Sequence, residues 1–440
     1  MTSRECLDYA RLAADLARKH GADAAAVNVH FERTCQAAVR DSHIDSLQEA
    51  TRRGVSISIY LGGRFSSHGT SDLRPEALDP FIRKAVALTR HLAADPFRQL
   101  PEPRDYEGRQ QHDLDLVDPS CLESGSASCL ASARALADAA LRLGGNVVSV
   151  AGEFQENLSL AARVHTNGFE GENSGTTFSH FVSVTVDAGD GSLPEDCFYA
   201  SSRHRRELPH PEAAAREAVQ RARRRIGQRA LPTAEYELLV ENRAAGRLLT
   251  PLIGAMSGRA IQQRSSFLEG MQGQPVAHPS ITIEDDPFIA GAPGSRLFDA
   301  EGLALRRREL IRRGTLEDLY IDSYHARKLG RRPTGGSPSN VVVRGEAAPL
   351  SALIAGIRRG VLVTQFVGGQ SNSVTGDFSL GVAGIAIIAG ELAHPVNEMN
   401  VSGNYIPLWK SVAGLGDEPY RYGILRTPAL HFHAAQLSGS

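Results

Sequence analysis

Hydrophobic and polar positions follow two different periods along the chain. Between Val55 and Leu61 every second residue faces one side, with Ser56 and Ser58 on the other, which is typical of a half-buried strand. In the opening segment apolar residues recur three or four positions apart, at Cys6, Ala10, Ala13 and Ala17. This spacing predicts an amphipathic helix, which Gly21 ends. The same criteria predict strands over 25–31, 146–154, 158–165, 178–186 and 236–240, and helices over 75–91, 119–143, 211–226 and 243–256.

Strands mostly follow strands, which favours an α+β fold with a largely antiparallel sheet over a doubly wound parallel sheet. A Pro-rich polar connector at 95–118 and a linker at 227–234 interrupt the pattern. They predict an N-terminal α/β domain at 1–100 and a middle α/β domain at 119–228 packed with it. A C-terminal β-rich domain, barrel-like or a sandwich with a few helices, is predicted at 235–440.

The most strongly patterned element lies near the C-terminus. Residues 382–388 and 391–396 flank a turn at Ala389-Gly390, which predicts a β-hairpin. Gly381 and Gly384 punctuate its first strand, and glycines inside a strand indicate close backbone approach or a bulge.

Composition narrows the class of protein. The 440 residues are 42% hydrophobic and 22% charged, as in ordinary globular proteins, and the net charge of −2 provides no general attraction to nucleic acid. The five cysteines are odd in number and lack paired spacing, so we interpret them as reduced structural thiols. No signal core and no run near the ~20 apolar residues of a membrane span is present, so a cytoplasmic protein without membrane contact is expected.

Most catalytic motifs are absent. The chain has no GxxxxGK[ST] phosphate loop, no dinucleotide glycine motif and no nucleophile elbow. None of the fifteen histidines lies three or four residues from another, the spacing that would direct two imidazoles from one helix face to one metal ion. No set of three metal ligands is recognisable from spacing, so neither catalytic nor metal-binding residues are predicted.

Three weaker groupings remain. His431 and His433 lie two apart on a predicted strand, where half-buried structural histidines are the favoured interpretation over a metal site. Asp285-Asp286 before a proline is typical of a turn entry, with a carboxylate pair as the alternative. His325 with Asp322 and Tyr324 remains open as an unrecognised catalytic group, although a helix-start cap explains the aspartate.

Five blocks of sequence, in order along the chain, resemble the TldD/PmbA family, once called modulators of DNA gyrase, and specifically its TldE (PmbA) branch. The blocks lie at 21–33, 54–73, 265–287, 298–336 and 374–404. The last of them, VTGDFSLGVAGIAIIAGELAHPVNEMNVSGN, and the block at 298–336 are the specific ones.

The resemblance implies a cytoplasmic zinc protease built from two related subunits around a closed chamber that admits unfolded or short peptides. In the TldD branch a helix carries a His-Glu-x-x-x-His motif, and a cysteine near the C-terminus completes the zinc site. The corresponding helix here, 241–258, contains no histidine, and the segment after Asn404 contains no cysteine. We therefore expect a non-catalytic TldE-like subunit, without zinc of its own, that forms a heterodimer with a zinc-bearing TldD-like partner.

The same model predicts that the chain lines the chamber and binds peptide backbone along a strand edge. Thr375, Gly376, Asp377 and Ser379 are the predicted substrate-binding residues, with a turn that holds two strands in register as the structural alternative. The competing function is a stand-alone homodimeric module that binds peptides or proteins without proteolysis.

Overall fold

Long antiparallel strands from the first half of the chain form one sheet in the computed structural model, which describes residues 1–123 and 125–439. The α-helices are α1 (Ser3–Lys19), α2 (Pro75–Thr89), α3 (Ser126–Arg142), α4 (Pro211–Arg223), α5 (Asn242–Ala255), α6 (Gly258–Gln262), α7 (Ser323–Leu329), α8 (Leu350–Gly356) and α9 (Tyr405–Lys410). The strands of the first half are β1 (Ala24–Arg40), β2 (His43–Leu61), β3 (Arg64–Thr70), β4 (Val147–His165), β5 (Glu170–Val186) and β6 (Glu195–Ser202). The strands of the second half are β7 (Ala234–Val240), β8 (Thr282–Asp285), β9 (Arg308–Arg312), β10 (Thr315–Leu316), β11 (Val341–Arg344), β12 (Ala347–Ala348), β13 (Arg359–Ser371), β14 (Asp377–Ile388), β15 (Glu391–Asn404), β16 (Val412–Gly416), β17 (Leu425–Arg426) and β18 (Leu430–Gly439).

The first sheet has the order β3-β2-β1-β4-β5-β6, and direct pairing of β1 with β4 joins segments 1–100 and 119–228. Alternate residues are buried towards both ends of β1, at Ala25, Val27 and Val29 and again at Cys35, Ala37 and Val39, so one face of the sheet is covered there. Helices α1 and α2 pack over one part of that face, and α3 and α4 pack over the other.

Two predicted boundaries are wrong. The strands predicted at 146–154 and 158–165 are one strand, β4, because residues 155–157 continue the ladder with both β1 and β5. The helix predicted at 119–143 is divided: Pro119–Leu122 is a single 3₁₀ turn and α3 begins at Ser126.

The C-terminal half contains a closed five-stranded barrel, which confirms the barrel-like prediction. Its strands pair in the cycle β7-β13-β14-β15-β18-β7, and β16 and β12 extend from β18. A second sheet of order β10-β9-β8-β11-β17 lies beside it. Helix α5 and residues of both sheets share one hydrophobic core that includes the fully buried Trp409.

The predicted hairpin is confirmed by β14 and β15. Ala389 and Gly390 are both left-handed, with φ of 54° and 84°, as a two-residue hairpin turn requires. A Cβ on Gly384 would lie 2.1 Å from the carbonyl oxygen of Leu362, so this glycine permits the close approach of β13. No helix in the described part of the chain is long and apolar enough to cross a membrane.

Candidate functional site

Helix α5 begins where β7 leaves the barrel. The backbone N–H of Glu241 donates to the carbonyl of Val363 on β13 at 2.9 Å, and the helix starts one residue later. Its apolar residues, among them Leu248, Leu249 and Leu252, are fully buried in the barrel core. This anchoring fixes the direction of the remaining, polar face.

That polar face lines a cavity of about 490 Å³, called here the α5 cavity. Its walls come from α5, from the middle of β13 and from the segment 420–427. The lining residues are Asn242, Arg243, Ala244, Gly246, Arg247, Thr364, Gln365, Phe366, Tyr420, Gly423, Ile424, Leu425 and Thr427. The cavity therefore lies where the start of a helix, a strand and a connecting loop come together.

Ion pairs hold α5 against the first half of the chain. The Arg243 guanidinium donates to Asp196 Oδ1 at 3.0 Å and to the carbonyl of Cys197 at 2.8 Å. Glu241 accepts two hydrogen bonds from Arg221 on α4, at 2.9 and 3.2 Å. These side chains are largely buried, so the α5 cavity has a rigid wall on the side of β6 and α4.

The donor atoms at the α5 cavity do not fit a catalytic zinc ion. Zinc in proteins takes imidazole nitrogen, thiolate sulfur or carboxylate oxygen. The polar groups that α5 presents are the Asn242 amide and the guanidinium groups of Arg243 and Arg247, and a guanidinium always carries positive charge. The helix wall of the cavity therefore offers none of the ligands that a catalytic zinc ion takes.

Strand β13 has a free edge beside this cavity. It pairs with β14 almost to its end, but with β7 only over residues 360–363. From Thr364 to Ser371 the opposite edge pairs with no strand in the described residues. Side chains from Val367 onward are exposed, so the edge is open to solvent. We call residues 364–371 the β13 edge.

The predicted substrate-binding residues lie at the far end of that edge. Asp377 and Ser379, on β14, line a second cavity of about 620 Å³ together with Gln370, Ser371, Asn372, Ser373 and Phe378. Thr375 and Gly376 belong to the turn before β14 and are not among its lining residues. The structure thus brings two of the four residues to one cavity.

Hydrogen bonds inside the turn tie these residues down. Asp377 accepts from the Thr375 hydroxyl at 2.6 Å and from the Asn404 amide at 3.0 Å, and these two bonds lower the pKa of its carboxyl. Gly376, with φ of 80°, accepts a backbone hydrogen bond from Tyr405. The substrate role of the four residues stays a prediction, and the bonds also match the structural alternative.

The weaker groupings separate in space. Asp322 caps α7 and contacts His325 Nδ1 at 2.7 Å, but the Tyr324 hydroxyl donates to Asp95 instead. Three reactive groups therefore do not converge there.

The two histidines near the C-terminus also differ in their surroundings. The His431 ring lies 2.9 Å from a carboxylate oxygen of Glu237, a contact that the sequence could not predict. Burial lowers the pKa of His431, whereas His433 is exposed. The two aspartates before Pro287 diverge as well: Asp285 is buried and accepts from Ser339, while Asp286 accepts from the N–H of Phe288 and caps the turn.

Sequence spacing failed to detect one group of donors. Cys35, Cys129 and Glu156 place three ligand atoms within 4.8 Å of one another, the one such grouping of three His, Cys, Asp or Glu residues among the described parts of the chain. They are far apart in sequence, so only the pairing of β1 with β4 and the packing of α3 reveal them. The spacing of residues in the sequence therefore gave no indication of this grouping, and the absence of a metal site stays a prediction.

Known proteins share this architecture. Sequence profiles described as the PmbA/TldA metallopeptidase central and C-terminal domains match residues 122–226 and 233–439. A crystal structure from Bacteroides thetaiotaomicron, of a protein described as a modulator of DNA gyrase, is 35% identical, covers 98% of each chain and superposes with a TM-score of 0.95. Metalloprotease PmbA of Escherichia coli O157:H7 is 27% identical over 399 residues, 90% of this chain and 88% of that one.

A more distant structure, TldE from Thermococcus kodakarensis, has 20% identity and a TM-score of 0.86 over 100% of both chains, which shows the same fold. The fold and the matched domains give this chain the domain architecture of the PmbA/TldA metallopeptidase family, with an antiparallel α/β half and a β-barrel half. The chain belongs to the PmbA/TldD family, as its sequence blocks predict.

Proposed function

We propose that this chain is the non-catalytic subunit of a two-component zinc metallopeptidase and that it holds extended peptides for a zinc-bearing TldD-like partner. The observation that carries the proposal is the α5 cavity. Its helix wall presents Asn242, Arg243 and Arg247, none of which is a zinc ligand. A zinc hydrolase needs the ion to lower the pKa of its bound water, so the partner must supply that chemistry.

The β13 edge supplies the peptide-binding surface in this proposal. A bulge at Gly368 and Gly369 divides this edge. The residues before it, Thr364–Val367, span about 13 Å at roughly 3.3 Å each and lie beside the α5 cavity, and Gln370 and Ser371 beyond it lie beside the second cavity. An extended peptide that adds to a strand edge binds through main-chain hydrogen bonds, while alternate side chains enter pockets. Such binding selects unfolded or short peptides and rejects folded proteins, whose backbone groups are already paired.

The catalytic part of the proposal is tested by peptide cleavage. A reduced, alkylated polypeptide is incubated in zinc-containing buffer with this chain, with a His-Glu-x-x-x-His relative from the same cell, and with both. We expect cleavage only in the mixture, and none when the relative's motif histidines are replaced by alanine. Cleavage by this chain alone refutes the proposal. Self-association with peptide binding but no cleavage in the mixture favours the homodimeric binding module.

The binding part is tested by amide hydrogen exchange. Addition of a short extended peptide is expected to slow exchange within residues 364–371, and the same peptide with N-methylated amides is expected to have little effect. Residues 43–54 of β2 serve as the matched control, because among the described strands they also pair on one side only, with β1. Equal protection of both segments, or protection by the N-methylated peptide, contradicts specific binding at the β13 edge.

A further inference from the structure

Three metal-ligating side chains converge beneath α3, in a core separate from that of α5. Cys35 on β1 and Glu156 on β4 are directly opposite each other in the antiparallel ladder, so both project from the same face of the sheet. Helix α3 covers that face and supplies Cys129. The two sulfur atoms and one carboxylate oxygen all lie within 4.8 Å of one another.

This cluster is closed to solvent. The exposed fractions of Cys35, Cys129 and Glu156 are 1%, 0% and 3%. Around the two cysteines the core consists of aliphatic and aromatic side chains, including those of Leu136 and Phe154.

We propose that Cys35, Cys129 and Glu156 form a structural binding site for a soft divalent transition-metal ion, with Zn²⁺ as its representative. Two thiolates and one carboxylate are a ligand set that zinc accepts in proteins. With Zn–S distances of about 2.3 Å and Zn–O of about 2.1 Å, ligand atoms in a tetrahedral site lie roughly 3.5–3.8 Å apart. Because the three ligand atoms are at most 4.8 Å apart, inward movements of about 1 Å or less allow them to bind one ion as three of its four ligands.

Cys121 is buried in the same core, and burial raises the pKa of its thiol to about 12, but it is not one of the three residues whose ligand atoms lie within 4.8 Å of one another. Burial also raises the pKa of the Cys35 and Cys129 thiols. Binding of one divalent ion by these two thiols and the Glu156 carboxylate releases two protons and leaves the complex with a net charge of −1. The positive charge of Arg33, which lowers the pKa of Cys35, lies near this complex.

The site is structural because its three ligands are buried, so a substrate cannot reach a coordination position on the ion. Structural zinc sites are closed, whereas catalytic sites keep a coordination position for water. The cluster also lies in a different core from the α5 cavity. Zinc at this cluster revises the expectation that the chain carries no metal, but it provides no hydrolytic centre. Metal content and peptide cleavage are accordingly independent measurements on this chain.

The test uses the full chain, purified from cells grown with added zinc and analysed for metal, and then refolded with Co²⁺ to look for thiolate-to-cobalt charge-transfer absorption. We expect about one equivalent of metal and a clear charge-transfer band. Cys35→Ser, Cys129→Ser and Glu156→Gln are expected to lower metal content at least tenfold. Cys6→Ser is the matched control, because Cys6 is equally buried but lies in the core beneath α1.

Two results overturn the proposal: a wild-type chain that stays free of metal and shows no charge-transfer band, or a Cys6→Ser variant that loses as much metal as Cys35→Ser. If the serine variants do not fold, the wild-type spectrum and a metal-dependent rise in Tm of the wild-type chain decide the question. Absence of both then counts against the site.

Discussion

Loss of the ion pair between Arg243 and Asp196 should loosen the junction between the two halves of the chain. Arg243, on α5, and Asp196, on β6, are 17% and 5% exposed, and their atoms are 3.0 Å apart. The substitution Arg243→Met keeps most of the aliphatic volume and removes the guanidinium. Asp196 then keeps the N–H of Cys197, at 2.7 Å, but loses its charged partner.

The expected cost follows from this geometry. Removal of one partner of a buried ion pair costs about 3–5 kcal/mol because the other charge stays buried. The backbone donor to Asp196 and the partial exposure of Arg243 favour the lower end, so we expect a loss of about 3 kcal/mol. In Asp196→Asn, Arg243 still donates to the Cys197 carbonyl, and we expect a loss of about 1–2 kcal/mol. In the double variant the two losses should overlap by about 1–2 kcal/mol.

Urea unfolding followed by tryptophan fluorescence measures these losses. Trp409 is the only tryptophan of the chain and is fully buried in the barrel core, so its emission reports on the half that contains α5. Arg247→Met is the control, since this exposed arginine lies one turn later on the same helix, and its effect should stay within about 0.5 kcal/mol. A loss below about 1 kcal/mol in Arg243→Met, or strictly additive losses in the double variant, would refute the reasoning.

Three further predictions concern the turn, a buried carboxyl and the barrel. Asp377→Ala should slow peptide cleavage by the assembled pair while size-exclusion chromatography shows intact assembly; insoluble protein would instead assign Asp377 to the turn alone. Burial raises the pKa of Glu301 from 4.5 to about 7, so the folded state holds this proton more tightly than the unfolded chain does. The protonated Glu301 carboxyl stabilises the folded state fully below pH 4.5, and this contribution of about 3 kcal/mol is lost as the pH rises through 7. Urea unfolding midpoints should therefore decline between about pH 5 and pH 8, and the Glu301→Gln variant should show a flatter decline. Gly384→Ala should destabilise the barrel by about 1–3 kcal/mol, because the added Cβ would lie 2.1 Å from the Leu362 carbonyl oxygen. Gly254→Ala is the control: the added Cβ meets no atom within 4 Å on helix α5, and this variant should stabilise the chain by up to about 1 kcal/mol.

Local patterns in the sequence were enough to predict many of the elements. The alternation from Val55 to Leu61 lies within β2, and the turn at Ala389-Gly390 joins β14 to β15. These features depend on backbone conformation and on one buried face, which neighbouring residues encode directly. Where the pattern was interrupted without a break in the backbone, as at residues 155–157 of β4, the prediction was wrong, since ladder pairing on both sides keeps the strand continuous.

The sequence by itself determined the α+β class, the family and the absence of zinc ligands from helix α5, because each depends on which residues follow one another. Only the tertiary structure decided that the barrel closes through pairing of β18 with β7, and that one edge of β13 beyond Val363 pairs with no strand within residues 1–123 and 125–439. It also decided that Cys35, Cys129 and Glu156 meet. Strand register and helix packing bring residues together over long sequence separations, and no local period records which distant partners those will be.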